Sequence, residues 1–212
     1  MAKKENCKLY RNFYEIIHPS ISRKNISEYK IVFNEDIIPV QIFYPKKEIE
    51  LNSIIIYIQG NKAYNNYYEN LSLETNQIVI LIDRKKDINT DDYFNAISYI
   101  INEAIKCNIN TNNIFIMSDF EGTNILLDMK NKLDNKYSDI RKVLLSPLEN
   151  NLVKFDFKNS LLLSNNEDVE IDNKNNIMII NESIYDFVND EFSVTNEGLY
   201  LKIKNYIERK EV

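Results

Sequence analysis

Tryptophan is absent from the chain, and glycine occurs only three times in 212 residues. Asparagine, lysine, isoleucine and tyrosine are used heavily instead, which is typical of an AT-rich genome. Because 44% of the residues are hydrophobic, this bias does not indicate disorder. A domain of this length buries roughly 70% of the surface of its unfolded chain, so a full core is expected.

Cysteine and histidine are scarce as well. Cys7 and Cys107 match neither a disulfide framework nor a metal-ligand spacing, which predicts reduced thiols in a reducing compartment. His18 is the only histidine. The sequence contains no Gly-rich phosphate loop and no zinc spacing, so no cofactor and no metal are predicted.

Excess positive charge and long apolar runs are also missing. The net charge is −6 and the sequence pI is near 5.0, which argues against a nucleic-acid surface. No apolar run approaches the roughly 18 residues of a membrane span, and no apolar segment follows the positive charges near residue 1. These observations predict a cytoplasmic protein that has no nucleic-acid partner and no membrane span.

Short β-rich runs alternate with longer helical periods, which predicts one domain over residues 1–212 with a three-layer α/β/α architecture and a mostly parallel sheet. The predicted strands cover 29–33, 38–44, 53–58, 77–82, 113–117, 142–145 and 176–180, with 160–163 as a weaker eighth. The first two alternate in polarity and predict an antiparallel hairpin at one edge. Helices are predicted over 91–105, 122–136 and a terminal stretch that begins near Leu199.

The order of these elements from residue 38 to residue 127 resembles the hormone-sensitive-lipase-like branch of the α/β-hydrolase esterases. Residues 38–45 are similar to the second strand of that family, and 54–62 to the strand that enters its His-Gly-Gly-Gly oxyanion loop. Residues 68–83 resemble its first helix and the strand that ends in Asp. The segments 92–100 and 108–122 resemble the helix and strand that lead to its nucleophile elbow. The resemblance implies an α/β-hydrolase-like fold, truncated at its C-terminal end.

The functional positions of that family are replaced. Its elbow reads Gly-x-Ser-x-Gly, whereas residues 118–122 read Ser-Asp-Phe-Glu-Gly. Phe120 takes the place of the nucleophile, and Ser118 takes a glycine position from which its side chain is not expected to reach the site. Asp119 and Glu121 flank the elbow. They are interpreted as a remnant of the family's Asp and as an acid at a helix start, although a polar replacement site is an alternative.

The oxyanion loop and the catalytic acid have changed too. Residues 59–62 read Gln-Gly-Asn-Lys, so only Gly60 remains of the glycine run, and two convergent N–H groups are harder to present. Ile184 occupies the place of the acid. Asp186, two residues later, is a weak candidate for a displaced acid and is more simply a helix N-terminal carboxylate.

The histidine that the family places near the C-terminus is missing, because His18 precedes the first predicted strand. Loss of the general base costs about a millionfold in turnover, or about 8 kcal/mol of barrier. The resemblance therefore implies a pseudo-esterase retained for binding or assembly. Two alternatives stay open: a hydrolase with relocated groups, drawn from Ser118, Asp119, Glu121, Gln59 and Asp186, and an accessory or scaffold subunit.

Two further expectations concern ligands and partners. The candidate binding residues lie around the degenerate elbow and oxyanion loop: Gln59, Gly60, Asn61, Tyr64, Asp119, Phe120 and Glu121. Tyr64 either lines a ligand or partner surface or packs the first helix onto the sheet. No final strand is evident after residue 181, so the strand at 176–180 is expected to be a sheet edge that the terminal helix, a second copy or another protein covers.

Overall fold

The fold is taken from a computed structural model, which describes residues 8–9, 26–33, 36–45, 53–60, 65–83, 89–145, 159–164, 177–179 and 197–208. The strands are β1 (Lys8–Leu9), β2 (Ile26–Phe33), β3 (Asp36–Phe43), β4 (Ile54–Ile58), β5 (Ile78–Ile82), β6 (Ile114–Asp119), β7 (Arg141–Leu145), β8 (Ser160–Ser164) and β9 (Ile177–Ile179). The helices are α1 (Asn65–Thr75), α2 (Thr90–Lys106), α3 (Phe120–Asp128), α4 (Lys130–Lys136) and α5 (Glu197–Ile207), with a 3₁₀ turn at Thr111–Asn113.

The nine strands form one sheet in the order β1-β2-β3-β5-β4-β6-β7-β8-β9. The pairs β1–β2, β2–β3 and β3–β5 are antiparallel, and every pair from β5 to β9 is parallel. Strands β4, β5 and β6 are buried along their whole length, as the uninterrupted apolar runs predict for strands covered on both faces. The predicted mostly parallel sheet with an antiparallel N-terminal region is confirmed.

Successive residues of β4 serve opposite faces of the sheet. Ile54, Ile56 and Ile58 belong to one buried apolar cluster, and Ile55 and Tyr57 belong to the other. The first cluster includes residues of α2, α3 and α4, and the second includes residues of α1 and α5. Helices therefore cover both faces of the sheet, which confirms the three-layer architecture.

Several element boundaries differ from those predicted. The outermost strand on the N-terminal side is β1, so the hairpin of β2 and β3 lies one strand inside that edge. The helix predicted over 122–136 begins at Phe120 and is divided at Met129, where φ −90° and ψ −2° interrupt the regular turn. The weaker candidate at 160–163 is a strand between β7 and β9. Among the strands that the structure describes, β9 is the last of the sheet. Residues 180–196, on which the expected sheet edge also depends, lie outside the described residues.

Helix α2 shows how the local sequence sets an element's start. The side chain of Asn89 accepts a hydrogen bond from the backbone N–H of Asp92 at 2.9 Å, and Asp91 and Asp92 lie in the first turn, where the helix dipole favours negative charge.

Within the residues described here, no helix combines the length and the apolar character needed to cross a membrane.

Helix α5 is tied to the sheet by Arg141, the first residue of β7. Its guanidinium donates hydrogen bonds to the carbonyl oxygens of Tyr206 and Ile207 at 2.7 and 2.5 Å, and to that of Asn112 at 2.8 Å. It also lies 4.5 Å from the ring centroid of Phe115. One planar cation thus satisfies carbonyls at the end of α5 that have no partner within the helix.

We expect Arg141→Ala to lower the free energy of unfolding by about 2–3 kcal/mol, because hydrogen bonds to a charged group and a cation–π contact are lost together. Arg141→Lys should recover only a minor part of this lost free energy, since an ammonium group lacks the planar, forked donor geometry of a guanidinium. Urea unfolding followed by circular dichroism measures both. The matched control is Lys106→Ala, which removes an exposed ion pair with Glu103 and should change stability by less than about 0.5 kcal/mol. Equal effects at the two positions would contradict this role of Arg141.

Candidate functional site

The candidate site is the turn at which β6 passes directly into α3. Asp119 is the last residue of the strand, and Phe120 is the first residue of the helix, so no loop separates them. Phe120 has a φ of 36°, in the left-handed region that bulky residues avoid. The other described non-glycine residues with positive φ, Asn76, Asn108 and Asn159, are all asparagines, which tolerate this region. The strain at Phe120 costs on the order of 1–3 kcal/mol and must be imposed by its surroundings.

Two glycines impose part of that geometry by bringing the end of β4 against the turn. A Cβ atom on Gly60 would lie 2.2 Å from the backbone oxygen of Asp119 and 2.6 Å from the backbone nitrogen of Gly122. A Cβ atom on Gly122 would lie 2.4 Å from the backbone oxygen of Ile58. Neither glycine has a positive φ, so close backbone approach is the reason that both positions require glycine.

The side chain of Asp119 ties the same two segments together. It is fully buried, and its Oδ1 accepts a hydrogen bond from the backbone N–H of Gly60 at 2.5 Å. Its Oδ2 accepts one from the hydroxyl of Tyr57 at 3.0 Å. Both carboxylate oxygens are therefore engaged with β4 and its exit, as a buried charge requires. Asp119 acts as a clamp between the elbow and the loop that begins at Gly60.

The hydroxyls of Ser118 and Thr123, near the turn, are buried and hydrogen-bonded within the protein. Ser118 is fully buried, and its Oγ lies 3.0 Å from Oγ1 of Thr123, which is also fully buried. Oγ1 of Thr123 donates to the backbone oxygen of Leu145 at 3.2 Å. This chain of hydrogen bonds fastens β6, α3 and β7 to one another. It leaves the Ser118 hydroxyl in the interior, where water and a substrate do not reach it.

Tyrosines surround the clamp on the face that α1 and α5 cover. The ring of Tyr57 meets those of Tyr67 and Tyr68 edge-on, at centroid distances of 5.9 and 5.1 Å, and Tyr67 stacks on Tyr200 at 6.3 Å. Burial raises the pKa of Tyr57 well above its usual value, and the charge of Asp119 raises that pKa further. Burial likewise raises the pKa of Tyr67 and of Tyr68.

The structure brings together five of the candidate binding residues. Gln59 and Gly60 follow β4, and Asp119, Phe120 and Glu121 form the adjoining turn. Gln59 and Phe120 are 6% and 8% exposed, and Glu121 is half-buried in the first turn of α3, as expected of a helix-start acid. The remaining candidates lie outside the described residues: Asn61, Tyr64, Ile184 and Asp186. His18 lies outside them too. No cluster of three or more potential metal ligands occurs among the residues whose positions are described.

Tyr57 and the contact between the two glycines were missed by the sequence interpretation. A tyrosine inside the run Ile-Ile-Ile-Tyr-Ile was a usable signal, because a buried hydroxyl usually has a hydrogen-bond partner. Two of the three glycines follow strand ends, which was a second signal. Tyr67 and Tyr68, from the tyrosine-rich stretch after residue 63, are buried and pack α1 onto the sheet.

Comparison with known proteins supports the fold. The sequence matches no protein-family profile and no curated protein sequence. Solved structures do match: the Francisella virulence factor BioJ superposes with a TM-score of 0.63 and 13% identity over 92% of this chain and 88% of that chain. An arylesterase superposes with a TM-score of 0.50 and 18% identity over 68% of this chain and 51% of that chain. EstE1, a thermophilic carboxylesterase from a metagenomic library, superposes with a TM-score of 0.50 and 16% identity over 66% of this chain and 53% of that chain.

At these identities the similarity establishes the fold and not the activity. The chain has an α/β-hydrolase-like fold. It spans about half the length of the arylesterase and of EstE1. The chemistry has to be inferred from the turn at Phe120 and its neighbours.

Proposed function

We propose that this chain is a non-catalytic α/β-hydrolase-like protein, descended from the hormone-sensitive-lipase-like esterases and retained for binding or assembly. The observation that carries the proposal is the side chain of Phe120 at the strained, positive-φ position of the turn between β6 and α3. In a hydrolase this position presents the nucleophile. A phenyl ring has no atom that attacks a carbonyl carbon.

The neighbouring groups do not supply a replacement within the described residues. The Ser118 hydroxyl is buried against Thr123, and both carboxylate oxygens of Asp119 accept hydrogen bonds from β4 and Gly60. The only histidine of the chain, His18, precedes every described strand except β1, far in sequence from the position after the last strand that the fold uses for a general base. These facts disfavour the alternative of a hydrolase with relocated residues. A cytoplasmic location is part of the proposal, because Cys7 and Cys107 match no disulfide framework.

The test is hydrolysis of short-chain p-nitrophenyl esters together with fluorophosphonate labelling. We expect wild-type protein and Phe120→Ser to show no turnover above the buffer rate and no labelled residue, because a hydroxyl at position 120 still lacks a general base worth about a millionfold. An active esterase assayed in parallel controls for the reagents. Wild-type turnover with label on a single residue would refute the proposal, and loss of that label in Ser118→Ala would identify the relocated nucleophile.

A scaffold or accessory role is the second candidate, and the position of β9 favours it. This strand of three residues ends the sheet next to β8, so its outer backbone groups face away from the paired strands described here. We infer that a second copy or another protein covers this edge. Sedimentation at micromolar concentrations should then show a dimer that dissociates on dilution or a chain that associates with a partner. A strictly monomeric chain whose β9 amide protons exchange slowly would show that the edge is already covered, and would remove this candidate.

A further inference from the structure

Tyr57 and Asp119 form a buried pair whose chemistry the proposed function does not use. The hydroxyl of Tyr57 lies 3.0 Å from Oδ2 of Asp119, and both side chains are fully buried. A phenol that loses an electron becomes a strong acid and gives its proton to a base within hydrogen-bond reach. Asp119 meets that geometric requirement in the resting structure.

The electrostatics of the pair favour this reaction. The hydrogen bonds that both oxygens of Asp119 accept favour its ionised form, so the resting pair carries a negative charge in the protein interior, where an isolated charge is costly. Removal of one electron from Tyr57, with transfer of its proton to Asp119, leaves a neutral phenoxyl radical beside a neutral carboxylic acid. Oxidation therefore removes a buried charge, whereas oxidation of a phenol without an adjacent base would create one.

A series of aromatic rings connects the pair to a more exposed position. Tyr200 on α5 is half-buried and stacks on Tyr67 at 6.3 Å, and the hydroxyl oxygens of Tyr67 and Tyr57 lie 3.4 Å apart. The ring of Tyr68 lies 5.0 Å from that of Tyr67 and 5.1 Å from that of Tyr57. The chain has no tryptophan to compete for an oxidising equivalent. An electron vacancy formed at Tyr200 can thus pass through Tyr67 to Tyr57.

We propose that Tyr57 and Asp119 form a proton-coupled oxidation site that takes oxidising equivalents from one-electron oxidants such as carbonate or peroxyl radicals. The oxidant accepts one electron: a carbonate radical anion becomes carbonate, and a peroxyl radical becomes a peroxide anion. The O–H bond of Tyr57 breaks, the proton binds Oδ2 of Asp119, and Tyr57 becomes a neutral phenoxyl radical. A one-electron reductant of the ascorbate class returns the electron, and the proton moves back to Tyr57.

The experiment uses the full chain and ruthenium(III) tris-bipyridine, generated by a laser flash with persulfate as electron acceptor. Transient absorbance and electron paramagnetic resonance follow the phenoxyl radical. We expect a radical that outlives that of free tyrosine, and a loss of yield and lifetime of at least several-fold in Tyr57→Phe. Tyr68→Phe, which removes a hydroxyl from the same cluster but leaves the Asp119 contact, is the matched control and should keep the wild-type signal. Equal signals in wild type and Tyr57→Phe would overturn the proposal.

Two further measurements separate the pair's chemistry from a packing role. Asp119→Asn, checked for native circular dichroism, should slow radical formation and change its solvent deuterium isotope effect; an unchanged rate and isotope effect would remove Asp119 as the proton acceptor. Trapping with nitric oxide followed by peptide mapping needs no variant and should place the adduct on Tyr57. An adduct confined to other tyrosines would refute the assignment. None of these readouts depends on ester hydrolysis or ligand binding, so the two proposals fail separately.

Discussion

Replacement of Gly60 or Gly122 by alanine is expected to lower the free energy of unfolding by about 3 kcal/mol or more, at the upper end of what overpacking usually costs. At both positions the added methyl group meets backbone atoms at 2.2–2.6 Å, and backbone atoms cannot rotate away as a flexible side chain can. The contact between the β4 exit and the elbow has to open. Urea unfolding followed by circular dichroism gives the free energies.

The third glycine provides the matched control, because Gly198 lies exposed in α5. Gly198→Ala makes the same chemical change in a helix, where alanine is favoured by up to about 0.5–1 kcal/mol. We therefore expect replacement by alanine to raise the free energy of unfolding at Gly198 and to lower it at Gly60 and Gly122. If Gly60→Ala and Gly122→Ala were as stable as wild type, the close packing of the elbow would be wrong.

Raising the pH above 10 is expected to unfold the protein steeply. Burial raises the pKa values of Tyr57, Tyr67, Tyr68 and Tyr200 above the usual value near 10. The stability that these four buried tyrosines contribute is present in full below pH 10. Above it the unfolded chain loses these protons first, so each tyrosine lowers the free energy of unfolding by about 1.4 kcal/mol per pH unit. Four such groups together give a slope of roughly 5.5 kcal/mol per pH unit.

At lower pH, the ionisation of Lys142 changes the free energy of unfolding in the opposite direction. Burial lowers the pKa of this fully buried lysine, and the nearby Asp134 partly offsets the shift. Stability attributable to Lys142 therefore rises with pH between its folded pKa and the unfolded value near 10.4. Urea unfolding at a series of pH values, with phenolate absorbance recorded in parallel, measures both trends. Tyr200→Phe should reduce the alkaline slope by about a quarter, since it removes one of four groups. Complete titration of these tyrosines near pH 10 in a protein that stays folded would contradict the buried cluster.

The sheet was largely predictable from the sequence, because its central strands are uninterrupted apolar runs that only strands buried on both faces explain. What escaped prediction depends on distant contacts. Strand β1 is only two residues long and exists because Lys8 and Leu9 pair with Val32 and Ile31. The division of the helix at Met129 follows from local backbone angles that the helical periodicity does not encode.

The candidate site was predictable as a set of residues but not as an arrangement. The resemblance of residues 118–122 to a nucleophile elbow, with Phe120 at its centre, can be read from five residues, whereas the role of Asp119 cannot. Its partner Tyr57 is 62 positions away in sequence, and Gly60 is 59 positions away. Asp119, interpreted from the sequence as a remnant, holds two segments together through both oxygens. Only the three-dimensional pairing of β4 with β6 brings these residues into contact.

The abrupt passage from β6 into α3 also bears on protein engineering. A left-handed residue between a strand and a helix, supported by two glycines and a buried carboxylate, is difficult to design. Several segments of the chain must have compatible backbone geometry for such a turn to form. Side chains are easier to exchange than such a backbone. If the proposed function is right, the chain retains the backbone of an active site without its reactive groups, and a designer who adds a nucleophile, an imidazole and an acid could start from a turn that already has its final shape.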